Sequence, residues 1–215
     1  MPHMIRAILF DLDNTLYDAE AGLQDEGDRR ITRWIMEQLG LPLDEADELR
    51  LRTWKQYGTT ASGLEAEYGM DARGLYAATI SQINPAEYLD PWPELNAMLA
   101  ALPVSRHVFT NATEIYAWKV LAALGVSDLF ERVFGIEYCD YVCKPNRASY
   151  ERILKELGLP ADQVAFVEDN PGNLGPARDL GMVTVLVGNR PGEADLRISS
   201  ILHLGQALSA SGLTS

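Results

Sequence analysis

The chain has 215 residues, 47% hydrophobic and 23% charged, which is ordinary for a globular protein with a sizeable core and excludes the disordered, collagen-like and coiled-coil classes. Its 18 Lys and Arg against 31 Asp and Glu leave a formal net charge of −13, a surface that repels nucleic-acid polymers and anionic membranes. No apolar run reaches the roughly 18 residues of a membrane span.

Met1, Pro2 and His3 read as a remnant ahead of a natural start at Met4. Nothing that follows resembles a leader, because the apolar run Ala7-Ile8-Leu9-Phe10 meets aspartates rather than a cleavage site. Residues 5–10 form the first short apolar run. From Leu16 to about Tyr88 no strand pattern occurs. Residues 18–39 predict a long helix with Ile31, Trp34, Ile35 and Leu39 on one stripe, and residues 43–57 and 71–83 predict two more. Trp34 and Trp54 are expected in the core. The polar, glycine-bounded stretch holding Tyr57, Thr59, Thr60 and Gly63 is a poor helix interior and predicts a loop facing the site. Residues 84–93, rich in proline, read as a return linker.

The apolar runs then resume at 104–109, 133–136, 164–167 and 183–187. Helical patterns at 112–124, 148–157 and 173–180 lie between them, each followed by glycine, a helix-stop signal. Cys139 and Cys143, with no histidine beside them, read as reduced structural thiols, and a cytoplasmic location is expected. Residues 209–215 are expected to fray. Short apolar runs alternating with helices predict an α/β fold with a doubly wound parallel sheet. The helical block after the first run is too long for a crossover. The expected division is therefore an α/β core from residues 1–16 and 90–215, with an inserted all-helical domain at 17–89.

In such sheets ligands bind beyond the carboxyl ends of the strands. The residues there are Asp11, Asp13 and Thr15, then Thr110 and Asn111, then Lys144, then Glu168, Asp169 and Asn170. Carboxylates gathered on one rim repel unless a cation lies among them, and an oxygen-only set suits Mg²⁺. Lysine beside a metal suits an anionic substrate, and phosphoryl transfer needs these parts. Asp11 can be the nucleophile and Asp13 the acid to the leaving oxygen, then the base to water. Thr110 and Asn111 can donate to a phosphoryl oxygen, and Lys144 can balance charge. Thr15 and Asn111 are equally open to helix capping, as are Asn170 and Asn173 to capping or to orienting the metal carboxylates.

Asp11-Leu12-Asp13-Asn14-Thr15-Leu16 resembles the D-x-D-x-T signature of the haloacid dehalogenase (HAD) superfamily. Phe109-Thr110-Asn111, Lys144-Pro145 and Val167-Glu168-Asp169-Asn170 resemble its other three motifs, in order and spacing. The helical insert is similar to a C1-type cap. The resemblance implies that Asp11 is the nucleophile, Asp13 the acid/base, and Thr110 and Lys144 the phosphate contacts. It implies Mg²⁺ held by Asp11, the Asp13 backbone carbonyl and Asp169, with Glu168 and Asn170 nearby. Relatives often carry two aspartates and a serine in the fourth motif, where this chain has Glu168-Asp169-Asn170.

A narrower resemblance, to the pyrimidine 5′-nucleotidase group, rests on residues 54–60, Gly63-Leu64 and residues 138–145. It implies hydrolysis of UMP- or CMP-like monophosphates, with Tyr57, Thr59, Thr60 and Gly63 near the substrate. The alternatives are another small phosphate ester, such as phosphoglycolate or a sugar phosphate, a sugar-phosphate mutase, and a non-catalytic binding protein of the same fold. A small phosphorylated metabolite is the expected partner, and a monomer the expected state.

Overall fold

The computed structural model describes residues 4–214. In chain order its elements are β1 (Ala7–Phe10), α1 (Leu23–Leu39), α2 (Leu43–Tyr57), α3 (Thr60–Tyr68), α4 (Ala72–Ala78), α5 (Pro93–Ala100), β2 (Ser105–Phe109), α6 (Glu114–Ala123), β3 (Arg132–Phe134), α7 (Arg147–Leu157), β4 (Val164–Glu168), α8 (Pro171–Asp179), β5 (Val183–Val187), β6 (Leu196–Ile198) and α9 (Leu204–Ala210). The assignment of Met1, Pro2 and His3 lies outside the described residues, as does Ser215.

The strands form one parallel sheet in the order β3-β2-β1-β4-β5-β6. β1 and β4 are buried on both faces, which is why they read as unbroken apolar runs. Alternate side chains go to opposite layers. Ile8 and Phe10 join an apolar cluster with Leu95, Leu99, Val120 and Leu204 from α5, α6 and α9. Ala7 and Leu9 join a second cluster with Tyr150, Ile153 and Leu174 from α7 and α8. The chain leaves β1 toward β2 on one side and β4 lies on the other, so the crevice of a doubly wound sheet opens beyond β1.

Helices α1 to α4 pack around their own apolar cluster, in which Ile35, Leu49, Leu64 and Leu75 are buried. Ile136 and Cys143, from the loop after β3, complete its floor. Both cysteines are buried and free. The Cys143 thiol donates to the Tyr57 carbonyl at 3.3 Å, and burial pushes the Cys139 thiol up to about 11. No described helix is long and apolar enough to cross a membrane.

Several sequence expectations change. The long first helix begins only at Leu23, after a short 3₁₀ turn at Ala19–Ala21. Of the stretch expected as a loop, Tyr57 ends α2, and Thr60 and Gly63 lie in α3, which Thr59 caps by accepting from the Ser62 amide. The proline-rich return linker ends in α5, where Pro93 occupies the first turn, a position with no amide to satisfy. The tail does not fray as far as Leu213. Ser209 and Ala210 belong to α9, Leu213 joins the main core, and the Ile5 amide donates to the Leu213 carbonyl at 3.0 Å.

Candidate active site

Three strand ends, those of β1, β2 and β4, converge on Lys144. Its side chain is 1% exposed and its ammonium donates to Asp11 Oδ1 at 2.6 Å, Glu168 Oε2 at 2.9 Å and the Phe109 carbonyl at 2.9 Å. Its position lies about 5 Å from the Phe109 and Phe166 ring centroids. Burial opposes the charge, but the Asp11 and Glu168 carboxylates outweigh it and hold the ammonium protonated. Asn111 fixes this loop: its amide oxygen accepts from the Lys144 amide at 2.7 Å and its amide nitrogen donates to the Lys144 carbonyl at 3.1 Å. Asn111 is therefore not a helix cap, and its amide nitrogen keeps a second N–H at the cleft wall. Thr113 caps α6 instead. Thr110 accepts from the Ala112 amide at 3.0 Å, which leaves its hydroxyl hydrogen to donate.

Asp11 extends β1, its amide donating to the Val167 carbonyl at 2.9 Å, and its Oδ2 accepts from Thr15 at 3.2 Å. Thr15 thus supports the aspartate. Burial, then Glu168, pushes the Asp11 carboxyl up to about 6 against the pull of Lys144. Glu168 is 1% exposed and has both oxygens engaged, Oε1 by the Asn170 amide and Oε2 by Lys144 and Asn173. The two asparagines divide the roles expected of them: Asn170 caps α8 and Asn173 orients Glu168 at 3.0 Å. Asp169 pairs with Arg190 at 3.0 Å.

Asp13 lies off the strand, between two phenols. Tyr116 donates to its Oδ1 at 3.0 Å, and Tyr17 donates to the same oxygen. Burial raises the Asp13 carboxyl to about 6 against these hydrogen bonds. Burial and the Asp13 charge also raise both tyrosines, so they remain protonated donors.

Oxygens of Asp11, Glu168 and Asp169 lie within 4.8 Å of one another. A hard divalent cation fits this all-oxygen set, since Lys144 and the half-exposed Arg190 leave one of the three carboxylates without a compensating charge. Over them opens a cleft of about 580 Å³ between the strand ends and the helical insert. Thr59 and Thr60 line it, whereas Tyr57 and Gly63 do not. Gly63 packs α3 against α2, where an added Cβ would lie 2.4 Å from the Thr53 Cβ, so direct substrate contact does not follow for it. Trp34 packs against the insert's core as expected, but Trp54 is 46% exposed and lines the cleft. Arg190, Tyr17 and Tyr116 escaped the sequence reading, since nothing local marks them.

The chain is 30% identical over 205 residues to phosphoglycolate phosphatase of Pectobacterium atrosepticum, an alignment covering 88% of this chain and 84% of that one. It is 29% identical over 198 residues to phosphate metabolism protein 8 of Saccharomyces cerevisiae, covering 84% of this chain but only 61% of the yeast protein's length. In fold it is similar to a HAD phosphatase from Thermococcus onnurineus, with a TM-score of 0.67, 19% identity and coverage of 98% of this chain and 99% of that one. The haloacid dehalogenase-like hydrolase family matches residues 5–181, and the chain belongs to that hydrolase family.

Proposed function

We propose that the protein is a Mg²⁺-dependent phosphomonoesterase that works through a phosphorylated Asp11. The observation that carries this reading is the buried Lys144 ammonium bridging Asp11 and Glu168 at the base of the cleft. It keeps an aspartate in place beside a site able to receive three anionic oxygens. An Asp11 oxygen attacks phosphorus, the ester P–O bond breaks, and the leaving oxygen takes a proton from Asp13. Water then attacks the phosphorus of the aspartyl phosphate and gives its proton back to Asp13, which frees Asp11 and inorganic phosphate. Thr110 donates to a phosphoryl oxygen, and Lys144, with its three N–H bonds held by Asp11, Glu168 and Phe109, supplies positive charge beside the group. Mg²⁺, held by Asp11, the Asp13 carbonyl and Asp169, would supply charge neutralisation of the phosphoryl group. Residues 17–89 act as a C1-type cap on a core of residues 1–16 and 90–215, excluding bulk water.

The substrate class we favour is a pyrimidine nucleoside 5′-monophosphate. Trp54 and Leu51, 46% and 38% exposed, turn apolar surface into the cleft, where a planar base can pack and a two-carbon acid cannot. Phosphoglycolate is the second reading, supported by the name of the Pectobacterium relative. Phosphate release from UMP, CMP, AMP, phosphoglycolate and sugar phosphates separates them. With Mg²⁺ the expected order puts UMP and CMP first, and EDTA is expected to abolish release from all. Preference for phosphoglycolate would overturn the pyrimidine assignment, and undiminished release in EDTA would overturn the metal requirement.

A further inference from the structure

We propose that Tyr17 and Tyr116 are positioning residues that decide which oxygen of Asp13 carries the catalytic proton. The inference rests on the phosphatase reading above. Tyr17 lies where the chain leaves β1 for the helical insert, and Tyr116 lies on α6 of the sheet layer. Both rings are buried, at 4% and 3% exposure, and their hydroxyls are 3.5 Å apart. Both donate to Oδ1 of Asp13, and among the described residues Oδ2 accepts no hydrogen bond. Asp13 itself lines the cleft.

A carboxylic acid has one hydroxyl oxygen and one carbonyl oxygen. Two O–H donors aimed at Oδ1 hold it as the acceptor, so the acid's proton belongs on Oδ2. In the first step that proton passes from Oδ2 to the leaving oxygen as the ester bond breaks, and Asp13 becomes a carboxylate. In the second step Oδ2 takes a proton from the attacking water, and the starting state returns. Neither phenol gains or loses a proton. Without them the carboxyl can rotate or protonate on Oδ1, where the proton is turned away from the ester.

General acid assistance matters most for a poor leaving group, such as the 5′-alkoxide of uridine released from UMP, and least for the stabilised phenolate of p-nitrophenyl phosphate. Tyr116→Phe and Tyr17→Phe keep ring packing and remove only the hydroxyl. kcat/KM, which reports the steps up to Asp11 phosphorylation, is to be measured on both esters, with thermal unfolding to confirm that each variant folds. For each variant the ratio of kcat/KM on UMP to that on p-nitrophenyl phosphate is expected to fall about tenfold or more. A ratio unchanged in both variants, whether activity drops equally on the two esters or not at all, overturns the positioning role. Should one variant not fold, the other decides. If UMP is not hydrolysed, the alkyl phosphate that the protein does hydrolyse takes its place in the ratio, and absence of phosphate release from every ester tested would instead overturn the phosphatase reading itself.

Discussion

Asp11→Asn is expected to reduce phosphate release by about 10⁴-fold or more, with little change in fold. The amide removes the nucleophile but preserves the shape of the side chain. Its oxygen can still accept from Lys144, now 2.6 Å from Asp11 Oδ1, and Glu168 remains to pair the ammonium at 2.9 Å. If the proposed aspartyl phosphate is common to every substrate, the loss should fall on kcat for each one tested. Steady-state assays on UMP and on p-nitrophenyl phosphate check this. Activity within tenfold of the unaltered protein on either ester would remove Asp11 from the reaction.

Lys144→Met is expected to damage both stability and turnover. The lysine is buried, and its ammonium is the cation that pairs with both Asp11 and Glu168. Methionine of similar length can fill the space between Phe109 and Phe166 but leaves two buried carboxylates facing each other. Removing one partner of a buried ion pair destabilises by about 3–5 kcal/mol, and in a domain of this size each kcal/mol lowers Tm by roughly 2–4 °C. A fall in Tm of about 10 °C is expected by calorimetry, together with loss of phosphate release at temperatures where the variant is still folded. A variant of unchanged Tm would mean that Lys144 is not compensating the two carboxylates.

The sheet was legible because a strand buried on both faces leaves an unbroken apolar run, as in Ala7–Phe10 and Val164–Glu168. β6 was not, since Leu196–Ile198 is three residues with an exposed arginine in the middle, too little for any period. α3 was missed because Gly63 reads as a loop signal, yet there it lets two helices approach closely. Trp54 carries no mark in the sequence to separate a core indole from one facing a cleft. The residues at the strand ends were legible because topology alone brings them together. Their partners were not: Tyr116 meets Asp13 across 103 positions of chain. Asn111 was placed in the site, but its work on the Lys144 backbone depends on a loop 33 positions away.

The central claim, that Asp11 carries the phosphoryl group, is tested most directly by trapping it. A protein turning over UMP with Mg²⁺ is quenched with borohydride, which reduces an acyl phosphate to the alcohol, and its peptides are weighed by mass spectrometry. The expected result is conversion of Asp11, and of no other carboxylate, to homoserine, only when substrate is present, and more extensively in Asp13→Asn given p-nitrophenyl phosphate, whose leaving group needs little acid while water is no longer activated. Turnover with an unmodified Asp11 peptide in both proteins, or with the modification on Asp13 or Asp169, would contradict it.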